Sequence, residues 1–164
     1  MALAVALTAC TLDVRTRRIP NVLTLGAALG ACAYHLLTRG WWGLGTAAAG
    51  WSIGLVMFLP LFALRGMGGG DVKLLAALGA WLGPGQAIWV GLFSALAGGP
   101  LAVLLALSKG YLRRAFSNVW GLLMFWRVAG LKPHPALTLE SSGAPRLPYA
   151  LPIAAGLVMT LWLR

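Results

Sequence analysis

Residues 43–64 read GLGTAAAGWSIGLVMFLPLFAL, 22 consecutive positions without one charged side chain, closed by Arg65. At about 1.5 Å of rise per helical residue, such a run crosses a hydrocarbon layer of roughly 30 Å. Lipid offers backbone groups no water, so each N–H and C=O must bond within its own segment, and the run is expected to be a helix. Working outward, residues 1–13, 20–38, 71–83, 86–107 and 147–163 form further apolar runs. Arg15, Arg17 and Arg18 separate the first run from the second, and Thr38-Arg39-Gly40 closes the second. Pro20 suits the first turn of a helix, where its missing N–H is not needed. Trp41 and Trp42 read as interfacial aromatics. Gly66 to Gly70 reads as a flexible loop, and Gly83-Pro84-Gly85 as a turn. The expected fold class is all-α: a polytopic membrane bundle of about six transmembrane helices, forming a single domain over residues 1–164.

Composition agrees. Of 164 residues 60% are hydrophobic and 10% charged, against about 25% charged in an ordinary soluble domain, and the mean hydropathy is +0.84. A chain this small cannot hide so much apolar surface from water, which excludes a soluble enzyme, and disorder fails on the same numbers. The 13 Lys and Arg outweigh 3 Asp and Glu, for a net charge of +10. These cations fall between the apolar runs. With the N-terminus outside, every one except Arg39 and Arg164 lies on the cytoplasmic side, as the positive-inside rule requires. No nucleic-acid partner is expected, since no recognition motif accompanies the charge. Residues 108–146 form the one long polar connection. Within it, residues 111–128 mix Arg113, Arg114 and Arg127 with Phe116, Val119, Trp120, Leu123 and Trp126, which suits an amphipathic helix lying on the cytoplasmic membrane surface. Residues 132–148 read as a loop. Cys10 and Cys32 stand alone, with no CxxC pair, and read as free thiols, packed or facing lipid; no metal site or disulfide framework is expected.

Asp13, Asp71 and Glu140 are the only carboxylates. An ionisable residue in or beside a span is costly and is by default a functional candidate. Twelve apolar residues precede Asp13, and Asp71 opens a run of twelve. At 1.5 Å per residue both lie about 18 Å from the outer end of their helices, at matching depth on the cytoplasmic side. A facing pair of carboxyls reached through a watery recess follows from this count. Structural alternatives stand beside it. Asp71 could be a helix N-cap, and Asp13 could pair with Arg17 at i+4.

Gly68-Gly69-Gly70-Asp71-Val72-Lys73 contains the pattern GxGD, and Asp13 followed by Ile19-Pro20-Asn21 reads DxxxxxIPN. In these motifs, and in their order, the chain resembles the type IV prepilin leader peptidases, bacterial membrane aspartic proteases. Leu147-Pro148-Tyr149-Ala150 and the run after it resemble the last helix of that family. The resemblance implies that Asp13 and Asp71 are the catalytic pair, with no metal or organic cofactor. Gly68 and Gly70 would let the backbone approach substrate closely and adopt unusual φ values. Lys73 falls on the family's GxGDxK position, with snorkelling to the interface as its bland alternative. Pro20 and Asn21 would shape the entry to the second helix. The implied substrate is a prepilin or pseudopilin, whose short basic leader ends in Gly ahead of an apolar helix and is cut on the cytoplasmic side of the inner membrane. Longer members add a region with paired CxxC motifs and N-methyltransferase function. Neither stands in this sequence, which is similar to the short, peptidase-only branch that serves Flp-type, tight-adherence pili. Two other classes compete: a non-catalytic scaffold of pilus assembly, and a proton- or ion-coupled transporter subunit. The transporter needs a polar relay to the outer face, for which the spans offer only His35 and scattered Ser and Thr.

Overall fold

The structure, a computed structural model, describes residues 1–64, 67–110, 112–130 and 149–163. Six helices carry almost all of them: α1 (Ala2–Thr16), α2 (Asn21–Ala63), α3 (Gly69–Leu82), α4 (Pro84–Ser108), α5 (Leu112–Ala129) and α6 (Ala150–Trp162). No strand occurs among the described residues. The second and third apolar runs are joined, because helical geometry resumes at once after Thr38-Arg39-Gly40. Gly40 alone breaks it, with φ 61° and ψ −152°. A side chain would resist that φ, and glycine has none.

The two arms of α2, residues 21–39 and 41–63, run in opposite senses along α3. Asn21 lies beside Lys73, and Gly30 and His35 lie beside Trp81, so the first arm is parallel to α3. Thr46 meets Gly83, Gly50 meets Gly79, Gly54 meets Leu75 and Phe62 meets Gly69. The second arm is therefore antiparallel. After Gly83, at φ 84°, Pro84 opens α4, which returns along α3 with Ala87 near Gly79 and Gly91 near Leu75. Antiparallel to α4 runs α6, with Gly156 against Ser94 and Tyr149 and Pro152 against Gly98. From the other side, α1 meets the first residue of α6. The sheath is so complete that, from Asp71 to Ala80, only Lys73 escapes burial.

Alanines and glycines line the close helix contacts of this interior, around a core of Leu74, Leu75, Leu78, Val90, Ile153 and Leu157, while many other large side chains face outward. Ala6, Ala9, Ala31, Ala47, Ala76, Ala77, Ala80 and Ala87 are all almost fully buried, whereas Leu37, Trp41, Trp42, Leu96, Leu104 and Trp162 are exposed. Lipid tails are as apolar as leucine, so helices there associate by close backbone approach, which small residues permit. The tightest approach is between Gly50 and Gly79, where a Cβ on either would fall on the other's carbonyl oxygen.

Among the described residues two helices, α2 and α4, are long and apolar enough to cross a membrane. The 15 residues of α1, 14 of α3 and 13 of α6 give lengths of about 20–23 Å, less than the roughly 30 Å of hydrocarbon. The helix boundaries differ from the apolar runs in instructive ways. A cap at Arg17 carries α1 three residues beyond Asp13 to Thr16, and Pro20 is the N-cap of α2 rather than part of its first turn. Gly69 and Gly70 are the first turn of α3, not loop. A helix stands at Leu112–Ala129, where an amphipathic one was expected, with Phe116, Val119, Trp120, Leu123 and Met124 exposed along one face. Glu140 and residues 132–148, expected as a loop, lie outside the described residues.

Because Gly50 and Gly79 meet backbone to backbone, Gly50→Ala should lower the thermal midpoint in detergent by the equivalent of about 1–3 kcal/mol, the usual cost of overpacking. Gly45→Ala, with nothing within 4 Å of the added methyl, should leave it unchanged or raise it slightly through helix propensity. Equal midpoints for the two variants would contradict the packing described.

Candidate active site

Ala6, Ala9, Cys10 and Asp13 follow a helical i, i+3, i+4, i+7 spacing and are the buried face of α1. Asp13 thus reaches the interior because its position continues an otherwise small and apolar stripe. The helix ends just beyond it. Arg17 adopts a left-handed conformation, φ 52°, and donates its N–H to the Asp13 carbonyl oxygen at 2.8 Å, a left-handed C-terminal cap. Arg17 is the one non-glycine residue with positive φ among the described residues. Its side chain is exposed and forms no ion pair with Asp13 there. The Asp13 carboxyl instead accepts, at Oδ2, the N–H of Ala150 at 3.3 Å.

Asp71 is not the N-cap of α3. Gly68 holds that place, with φ −73° and ψ 143°, and Asp71 is the third helical residue. Its own N–H donates to the Gly68 carbonyl at 3.2 Å, while its carboxylate accepts the Gly68 N–H. This is the returning half of a capping box, completed without a side chain at the cap. Gly68 and Gly70 are absent from the positive-φ glycines, which are Gly40, Gly83, Gly110 and Gly130. Close approach, not unusual φ, explains them. A Cβ on Gly68 would stand 3.1 Å from Asp71 Oδ2, and one on Gly70 would stand 3.1 Å from Ile19 Cβ.

The two sequence motifs lock together at this end of the bundle. Lys73 Nζ donates to Asn21 Oδ1 at 2.9 Å, so Lys73 is engaged with the Ile19-Pro20-Asn21 segment that Gly70 also packs against. Asp13 and Asp71 are each only 8% exposed, and they lie close enough for their charges to act on one another. Tyr149, the N-cap residue of α6, lies within electrostatic reach of Asp71. The site therefore gathers α1, α3 and the start of α6. Two enclosed carboxyls within electrostatic reach of one another have the chemistry to bind a water between them. Among the described residues no group of three or more His, Cys, Asp or Glu gathers to hold a metal.

Three contributors went unassigned when the chain was read as a sequence. The Ala150 N–H has no side-chain signature, since any residue could supply it. Cys10 reads as a packed thiol until its partner, the Ala150 carbonyl at 3.0 Å, is known. Tyr149 stood within the segment likened to a last helix, yet nothing local marked it as a neighbour of Asp71.

With this geometry in hand, comparison with known proteins is decisive: residues 1–103 match the type IV leader peptidase family. This chain belongs to that family. Curated relatives include the prepilin leader peptidase/N-methyltransferase of Aeromonas hydrophila, 38% identical over 114 residues, covering 65% of this chain and 38% of the relative. The protein of the same name from Aeromonas salmonicida strain A449 aligns with the same figures. That of Xanthomonas campestris pv. campestris is 38% identical over 86 residues, covering 52% of this chain and 24% of the relative. The match thus spans well under half the length of these relatives. No solved structure matches. Within this member of the type IV leader peptidase family, Asp13, the Ile19-Pro20-Asn21 segment and Asp71 fall inside the matched residues, while Tyr149 and Ala150 fall beyond them.

If Lys73 and Asn21 hold the two motifs together, Lys73→Met and Asn21→Leu should be non-additive in thermal stability. A double-mutant cycle in detergent should give a coupling of about 0.5–1.5 kcal/mol, the range for one hydrogen bond. Strict additivity would mean the bond contributes nothing.

Proposed function

We propose that this chain is a membrane aspartic endopeptidase that removes the leader of type IV prepilins and pseudopilins, with Asp13 and Asp71 as its catalytic pair. The observation that carries the reading is that the fold brings two carboxyls, 58 positions apart in the chain, into one buried site at one end of the bundle. Membership of the family and the printed names of the relatives support the same substrate class. In this reading the helices form one membrane domain over residues 1–164, with about six spans, each arm of α2 counting as one. Both aspartates face the cytoplasm from the bacterial inner membrane, and α5 lies on the cytoplasmic surface. The excess of Arg and Lys at the segments flanking that end supports this orientation.

The chemistry needs only water and the pair. One carboxylate takes a proton from the water as its oxygen attacks the scissile carbonyl, and the other, protonated, donates to the developing oxygen. Collapse of the tetrahedral intermediate returns a proton to the leaving amine, and the C–N bond breaks. Gly68 and Gly70 keep the approach to Asp71 clear of side chains, while Lys73, Asn21 and Pro20 hold the two motifs in register. The apolar segment that follows a prepilin leader would pack laterally against the bundle, setting its cleavage site at the level of the aspartates. No metal, cofactor or methyl transfer is part of the proposal. A transporter is disfavoured by the interior. Beyond Asp71 the buried residues of α3 are Val72, Leu74, Leu75, Leu78, alanines and Gly79. Asp13 aside, the buried polar groups on the other described helices are Thr24, His35, Ser94 and Thr160, with no further carboxylate among them.

The test is co-expression or reconstitution with a candidate prepilin, reading the mature N-terminus by mass spectrometry. Asp13→Asn and Asp71→Asn should each abolish cleavage while the protein still accumulates. The double variant should be no worse than either single one, because residues acting as a unit are strongly non-additive. Glu140→Gln should cleave near normally. Rate against pH should be bell-shaped, reporting the pair, and the product should carry no added methyl mass. Substantial turnover by either Asn variant would overturn the two-aspartate reading.

A further inference from the structure

Cys10 and Asp13, one turn apart on α1, grip the same residue of α6 from two sides. The Cys10 thiol donates to the Ala150 carbonyl oxygen at 3.0 Å, and the Ala150 N–H donates to Asp13 Oδ2 at 3.3 Å. All three residues are buried, Ala150 completely. Ala150 is also the first residue of α6, where backbone N–H groups lack helical partners. Asp13 supplies one such partner. The bond anchors the carboxyl through Oδ2 and leaves Oδ1 without a backbone donor, the more open of the two oxygens.

We propose that Cys10 is a positioning residue for the aspartate pair, holding Ala150 so that its N–H fixes Asp13 and presents Oδ1 to the reaction. This rests on the catalytic reading of Asp13 given above. A thiol suits the place because it donates through a small, polarizable atom that packs like a hydrophobe. Alanine at position 10 would leave the carbonyl without this donor and the first turn of α6 free to shift. Misplacement of a reacting group by about 1 Å costs on the order of a hundredfold in rate. The titratable groups within electrostatic reach of Asp13 are Cys10 on its own helix and Asp71 on α3, and Tyr149 at the head of α6 lies within reach of Asp71. A change in the hold on Asp13 should therefore also displace the pH profile of the coupled set.

The experiment uses the full chain with Cys32→Ala, reconstituted in lipid and assayed on a prepilin with a basic leader. Cys10→Ala should lower kcat by about tenfold or more with little change in KM, and should displace the pH–rate profile. Cys10→Ser, which keeps a donor, should recover most of kcat and the original profile. An unchanged kcat and profile in Cys10→Ala, while Asp13→Asn is inactive, would overturn the positioning role and leave the catalytic reading intact. An active Asp13→Asn would instead remove the reading on which it rests. Serine no better than alanine would mean that Cys10 only fills space. Infrared spectroscopy of the S–H stretch gives a readout independent of turnover and of any substitution at position 10. The Cys10 band should lie at a hydrogen-bonded frequency and move in Asp13→Asn. A free-thiol band, or one indifferent to Asp13, would overturn the proposal.

Discussion

The burial of α3 on every side is the constraint on which the rest of the structure depends. A helix of 14 residues can be sheathed by four others only if backbones approach closely, and in lipid that approach is the main source of attraction between helices. The glycine and alanine stripes of α2, α3 and α4 are therefore not a by-product of composition. They set how near the chain around Gly68 comes to α1 and α6, and hence whether Asp71 meets Asp13. Larger residues at Gly50 or Gly79 would push the second arm of α2 outward and loosen the frame that holds the site.

Enclosing two carboxyls has a cost, since a buried charge without partners is unfavourable by several kcal/mol. The site offsets part of this with backbone donors: Gly68 for Asp71 and Ala150 for Asp13. Hydrogen bonds to charged groups contribute roughly 1.5–3 kcal/mol each. These donors come from helix N-termini, where N–H groups are in any case unpaired. No arginine or lysine side chain takes part among the described residues; Lys73 is turned to Asn21 and Arg17 to solvent. A cation paired tightly to either aspartate would favour its charged form.

The helical class, most element positions and both aspartates were legible in the sequence, because apolar run length and the rarity of carboxylates are strong signals. The break between the two arms of α2 at Thr38-Arg39-Gly40 was legible too, but not its tightness, since a reversal made by one glycine with a left-handed φ leaves no loop between the arms. Asp71 was legible as a helix-start residue but not as the third helical position, because the capping group is the backbone of Gly68. The partnership of Lys73 with Asn21 spans 52 positions, and no local pattern carries it. The role of Ala150 was invisible for a deeper reason: it acts through peptide atoms that every residue possesses.

The central claim is that packing around α3 brings positions 13 and 71 face to face. Cysteines placed by Asp13→Cys and Asp71→Cys, in a chain with Cys10→Ala and Cys32→Ala, test it through a short bifunctional thiol reagent applied in native membranes. The two positions should be bridged within one chain in high yield, whereas Asp13→Cys paired with Trp81→Cys, at the far end of α3, should not. Failure of the first pair to bridge, with both thiols reactive toward a monofunctional reagent, would contradict it.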